Sequence, residues 1–165
     1  MLNNPTITEA TLTDAHILSS VIRRSFKDVA VLFGLTPASA PTHPSYITDE
    51  RIESAMNGGV RFFLLDEQGE TIGSVALEKS AKSPGVFYLE RLAVLPKWRG
   101  RGAGSLLLDY ALTEAEAGGA GSVELGIIAS DTKLQLWYEK RGFLVKGRRK
   151  FSHLPFEVTF MSLMM

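Results

Sequence analysis

The chain has no cysteine among its 165 residues. That excludes disulfides, thiolate metal sites and an acyl-cysteine intermediate, so any acyl chemistry must go directly to an acceptor or through another nucleophile. It has only three histidines, and His16, His43 and His153 stand too far apart in different segments to suggest a metal site. It also has no excess of either charge, with Lys plus Arg and Asp plus Glu at 18 each. No global field therefore draws it to nucleic acid or an anionic membrane. No apolar run approaches the length of a bilayer span, and the opening M-L-N-N-P-T-I-T-E lacks a basic stretch followed by an apolar one. The expectation is a cytoplasmic protein with neither a membrane nor a nucleic-acid partner.

What remains is a globular composition, 45% hydrophobic and 22% charged, of a length that fits one domain over residues 1–165. Thr6 to Thr11 alternates weakly and is expected as a first strand. Ala15, Leu18, Ile22, Phe26 and Val29 then recur at helical spacing, predicting a helix from about Asp14 to about Ala30. Gly34 to Tyr46 carries Pro37, Pro41 and Pro44 and is expected as a long ordered loop or lid. Thr48, followed by Asp49 and Glu50, can cap a short helix that ends at Gly58-Gly59.

Val60 to Asp66, Thr71 to Lys79 and Val86 to Leu95 are β-rich runs with short joins, hence an antiparallel meander. The first join, D-E-Q-G, reads as a hairpin with a left-handed glycine. Leu107, Leu108, Ala111, Leu112 and Ala115 form the apolar stripe of a helix that closes at Gly118-Gly119. Ser122 to Ile128 is a short strand, expected to lie parallel to the strand ending at Leu95 because a helix joins them. Ser130 or Asp131 caps a further helix carrying Leu134, Trp137 and Tyr138, and two last strands, Phe143 to Phe151 and Phe156 to Leu163, flank S-H-L-P.

The chain is organised around Leu92 to Leu108, L-A-V-L-P-K-W-R-G-R-G-A-G-S-L-L-L. A strand runs into the turn Arg99, Gly100, Arg101, Gly102, Ala103, Gly104, and a helix begins at about Ser105. Glycines permit a tight turn and a close backbone approach, and the first amides of a helix lack intrahelical partners, so this stretch is a cradle for a diphosphate. A P-loop would end Gly-Lys-Ser/Thr, and here Ser105 and Leu106 follow Gly104. A dinucleotide fingerprint would space its glycines G-x-G-x-x-G, whereas Gly100, Gly102 and Gly104 alternate.

R-G-R-G-A-G, read as Arg99, Gly102 and Gly104 in the pattern R/Q-x-x-G-x-G/A, resembles the signature of the GNAT family of N-acetyltransferases. The preceding L-A-V-L-P is similar to that family's fourth strand. Asp131 to Phe143 is similar to its N-x-x-A-x-x-x-Y-x-x-x-G-F motif at Tyr138, Gly142 and Phe143, with Asp131 in place of the usual asparagine and Leu134 in place of the alanine. The resemblance implies an α/β GNAT fold: a mixed central sheet of about seven strands, first an antiparallel meander and then a parallel pair splayed at the cofactor site, flanked by about four helices. It also implies acetyl-CoA, or a related acyl-CoA, and direct transfer of acetyl to a primary amine. A small-molecule acceptor is the first expectation; a protein or peptide amine, or a non-catalytic acyl-CoA sensor, are the alternatives. Dimers are common in the family, but the sequence marks no interface.

By the same resemblance the cofactor contacts fall on Leu92, Ala93, Val94, Arg99, Gly100, Arg101, Gly102, Ala103, Gly104, Ser105, Asp131 and Tyr138. A bulge near Leu92 to Val94 is implied, freeing the Val94 amide toward the thioester carbonyl. An alkylamine of pKa about 10.4 is unprotonated in only about one molecule in a few thousand at pH 7, so a base matters. Glu90 stands where some small-molecule members of the family carry a glutamate; the plainer alternative is a strand residue paired with an arginine. Tyr138 matches the tyrosine that protonates the departing thiolate, or it is core. Asp131 holds the cofactor arm or only caps its helix. The run Lys146, Arg148, Arg149 and Lys150 meets a phosphate or an acidic acceptor, or is a solvated face. His43, Tyr46, His153 and Phe156 fall in the two segments that border the acceptor site in that family, and are expected to line it.

Overall fold

The computed structural model describes residues 1–165. A seven-stranded sheet runs through the molecule in the order β1-β2-β3-β4-β5-β7-β6. The strands are β1 (Thr6–Glu9), β2 (Arg61–Glu67), β3 (Glu70–Lys79), β4 (Val86–Val94), β5 (Ser122–Ile128), β6 (Leu144–Lys150) and β7 (Glu157–Met164). The helices are α1 (Ala15–Leu32), α2 (Asp49–Asn57), α3 (Ala103–Ala117) and α4 (Thr132–Glu139). The expected architecture is present, with small shifts at the ends. β1 stops at Glu9 because Thr11 opens a 3-10 turn whose Asp14 carboxylate accepts from the Thr11 amide at 2.8 Å. No helix is long and apolar enough to cross a membrane.

Helices cover both faces of the central strands, which explains the unbroken apolar run F-F-L-L of β2. Phe62 and Leu64 face α1 and α2, packing with Leu18, Ile22, Ile47, Ile52, Ala76 and Ala93. Phe63 and Leu65 face α3, packing with Val75, Leu77, Leu89, Leu107, Leu108 and Ala111. The hairpin between β2 and β3 turns on Gln68 and Gly69, both with positive φ (53° and 77°), the backbone of a two-residue turn matched to strand twist. Gly73 of β3 is required by close approach, since a Cβ there would stand 2.6 Å from the Ala93 carbonyl oxygen.

Two features of β4 shape the site. Between Ser74↔Ala93 and Ala76↔Glu90 the register advances two residues on β3 and three on β4. The extra residue is a bulge at Arg91 and Leu92, with Arg91 at φ 50°, at the start of the predicted stretch. It bends the strand and increases its twist. β4 and β5 are parallel as expected, but they pair only over Val86↔Ser122, Phe87↔Val123 and Tyr88↔Glu124. Beyond Tyr88 they part, while β5 stays paired with β7 along its whole length. The result is a wedge-shaped opening between two parallel strands, with the bulge on its rim.

Candidate active site

The glycine turn stands at the mouth of this opening. After the Pro96–Trp98 turn, which buries Trp98, Gly100 (φ 74°) and Gly102 (φ 88°) take backbone conformations that strain any other residue. Gly102 is the N-cap of α3 and offers no side-chain acceptor. The first intrahelical bond is Leu106 N to Gly102 O at 3.1 Å, so the amides of Ala103, Gly104 and Ser105 are left as outward donors. A Cβ on Gly104 would meet the Trp137 ring at 3.4 Å and a Val94 methyl at 4.0 Å. The cradle, the end of β4 and helix α4 are therefore in direct contact.

Arg99, expected among the cofactor contacts, also ties the turn to the rest of the fold. Its Nη1 donates to Asp28 Oδ2 at 2.5 Å, its Nη2 to the Ser25 carbonyl at 2.5 Å and its Nε to the Val94 carbonyl at 3.2 Å. Arg99 thus pins the end of β4 to α1, and its guanidinium holds the Asp28 carboxyl below the usual carboxylate range. Arg101 instead stacks over Trp98 at 4.8 Å and is exposed.

Backbone alternation fixes where the β4 amides point. Leu95 N donates to Ile72 O on the β3 side, so Val94, one residue earlier, turns its N–H away from β3 toward the opening. Leu92 and Val94 pack their side chains against the α3-side core, so packing and a free amide coexist. Ala93 lies in the core on the α1 face.

Because of the bulge, Glu90 and Ala93, three residues apart, share the face toward α1 and α2. Glu90 is half-buried, its Oε2 3.5 Å from Arg91 Nη1. Burial holds its carboxyl above the usual carboxylate range; Arg91 pulls it down, and Glu78, diagonal to it on β3, adds to the rise. Arg91, itself pushed down by burial, lies over the Phe62 ring at 5.9 Å. Glu90 thus has an arginine partner 3.5 Å away and a carboxyl that burial makes more basic.

Tyr138 is buried, with its ring edge-on to Trp137 at 5.0 Å and Phe143 at 5.4 Å. Burial pushes its phenol well up, with Arg141 opposing, so the hydroxyl keeps its proton. Asp131 Oδ1 accepts from Leu134 N at 3.2 Å, the capping role.

The expected acceptor residues divide. Leu35 and Ala40 of the loop after α1 form a small cluster with Ala30 of α1, and Phe156 of the β6–β7 connection and Ile128 at the end of β5 pack against it. Inside the loop, however, His43 and Tyr46 serve the loop itself. Ser45 N donates to His43 Nδ1 at 3.3 Å, and the Tyr46 hydroxyl donates to the Leu35 carbonyl at 2.9 Å. Burial lowers the His43 pKa. His153 is exposed at the tip of the last hairpin, tilted against Phe151 at 5.6 Å. The basic run lies on β6, an exposed edge strand where Lys146 pairs with Glu124 at 2.8 Å. Sequence reasoning passed over Glu78, Arg91 and Arg141. Only Arg141 carried a signal, four residues beyond Trp137, the spacing of neighbours along a helix.

Residues 28–143 match the model of the acetyltransferase (GNAT) family. An uncharacterised N-acetyltransferase of Mycobacterium tuberculosis is 30% identical over 151 residues, covering 85% of this chain and 89% of that protein. Among solved structures, the PaiA N-acetyltransferase of Thermoplasma acidophilum in complex with coenzyme A superposes with a TM-score of 0.80 at 18% identity, covering 99% of this chain and 100% of that one. The YncA acetyltransferase of Salmonella typhimurium with acetyl-CoA gives 0.71 at 18% identity, covering 98% and 94%. The class is therefore that of acyl-group transferases on a mixed, opened sheet. The chain belongs to the GNAT family and is an N-acetyltransferase.

Proposed function

We propose that the protein transfers acetyl from acetyl-CoA directly to the primary amine of a small molecule. The observation that carries the reading is the opening between β4 and β5, with three unpaired α3 amides at its mouth and the Val94 N–H turned into it. A thioester on a diphosphate-bearing arm fits both halves of that arrangement, the amides taking the diphosphate and the wedge taking the arm. Bound there, acetyl-CoA supplies the activated acetyl group. Glu90, more basic than an ordinary carboxylate, takes a proton from the incoming ammonium, directly or through a water. Val94 N–H is a fixed donor for charge developing on the carbonyl oxygen. Tyr138, kept neutral by burial, holds a proton available to the departing sulfur. The small-molecule reading is supported by the packing of Phe156 and Ile128 against the cluster of Ala30, Leu35 and Ala40. We read this packing as closing one end of the acceptor's approach, where an extended peptide would need a continuous groove.

The test is a thiol-release screen of acetyl-CoA against amino acids, polyamines, aromatic amines and peptides, run beside thermal unfolding with and without acetyl-CoA. Turnover of a small amine is expected, with a rise in melting temperature that corresponds to about 2.7 kcal/mol at a hundredfold excess over Kd. No thermal protection would defeat the cofactor assignment. Turnover of peptides alone would defeat the small-molecule acceptor.

A further inference from the structure

Of the two arginines of the turn, Arg99 is paired with Asp28 and Arg101 lies exposed over the Trp98 ring. Another arginine has taken a place there. Arg141, just past α4, stacks its guanidinium 3.7 Å over the Trp137 ring. Its Nη1 donates to the Trp137 carbonyl at 3.0 Å and its Nη2 to Ser105 Oγ at 2.6 Å. Ser105 is the third residue of α3, so the guanidinium lies against the first turn whose amides are unpaired. Arg141 is half-buried and belongs to none of the ion pairs in the structure.

This is an electrostatic mismatch in the free protein. The N-terminus of a helix carries positive partial charge, and an arginine beside it is repelled unless an anion sits between them. The carbonyl end of α4 accounts for Nη1 but not for Nη2, which reaches across to α3. Two N–H groups are engaged, and a guanidinium has five. Its remaining donors are held in a planar fork by the Trp137 stack, pre-organised for a phosphate oxygen.

We propose that Arg141 is a diphosphate-binding residue of this enzyme, clamped by Trp137 and Ser105 so that its charge completes the α3 cradle. The inference rests on the acyl-CoA reading above and adds to it the residue that supplies the positive charge.

Calorimetric titration of wild type, Arg141→Gln and Arg141→Lys with three ligands tests it: CoA, 3′-dephospho-CoA and pantetheine, which has no diphosphate. Arg141→Gln is expected to weaken CoA and dephospho-CoA alike by about tenfold to a hundredfold, the loss of charge-assisted hydrogen bonds, and to leave pantetheine unchanged. Arg141→Lys keeps the charge but loses the stacked fork, so a smaller loss for the same two ligands is expected. If the Gln variant does not fold, the Lys variant decides alone. Unchanged CoA affinity in a folded variant overturns the proposal. So does an equal loss for pantetheine, which marks a structural lesion, or a loss confined to CoA, which moves Arg141 to the 3′-phosphate. If wild type binds no CoA, the cofactor reading fails; if it binds CoA and the variants bind equally well, only this inference fails.

Discussion

At the residue scale, burial sets the chemistry of the two proposed catalytic groups in opposite service. Tyr138 is kept protonated and Glu90 is made a better base. Tyr138→Phe is expected to lower kcat by about a hundredfold, the lower end of general acid contributions, while CoA affinity by calorimetry stays within about twofold. Glu90→Gln tests the other group through stability as well as rate. A carboxyl whose pKa is raised on folding holds its proton more tightly in the folded state. Its favourable contribution is present below the ordinary carboxylate pKa of about 4.3 and is lost as pH rises through the raised value. Ionised Glu90 is then a cost to the fold at neutral pH. Glu90→Gln should melt higher than wild type at pH 8, converge with it near pH 4, and lose turnover at both. A melting curve at pH 8 no higher than wild type would remove burial as the source of its basicity.

At the element scale, β4 does three jobs in nine residues, and the bulge makes them compatible. Upstream it pairs with β5; at Arg91 it shifts register so that Glu90 and Ala93 share a face; downstream its amides alternate between β3 and the opening. The Arg99–Asp28 pair then fixes its end to α1. Both partners of that pair are well exposed, so its contribution is of order 1 kcal/mol or less. Asp28→Asn should lower stability in urea by that amount and leave CoA affinity unchanged. A tenfold loss of CoA affinity would show that Arg99 depends on Asp28 to serve the cradle.

At the scale of the whole molecule, the sheet is one continuous surface with a single interruption, and the cradle, the Val94 amide and the α4 aromatics all border it. Hydrogen exchange followed by mass spectrometry should therefore report CoA binding at Val94 and at Ala103 to Ser105. The exposed β6 edge, Leu144–Lys150, should exchange as in the free protein. Protection on β6 instead would place the ligand on the basic strand.

Much of this was legible from local pattern, and the limits fall where sequence separation grows. The Thr48 cap, the Gly69 hairpin, the stripe of α3 and the glycine turn each depend on residues a few positions apart, and each formed as read. The parallel pairing of β4 and β5 followed from their helical connection. That β7 would insert between β5 and β6 had no local signature. Nor did the fate of the arginines, since Arg99 found Asp28 at a separation of 71 residues and Arg141 found Ser105 at 36. His43 and Tyr46 looked like site residues because they are polar and aromatic in a loop. Only the structure shows the local hydrogen bonds they also make, His43 accepting from Ser45 N and Tyr46 donating to the Leu35 carbonyl.

The sequence by itself determined the family, the elements and the anion cradle, because glycine conformations, helix ends and apolar periodicity act over a turn or two of chain. Only the tertiary structure decided which cation stands beside the cradle, how basic Glu90 is and where the sheet opens. Those depend on burial and on charges brought together from distant parts of the chain.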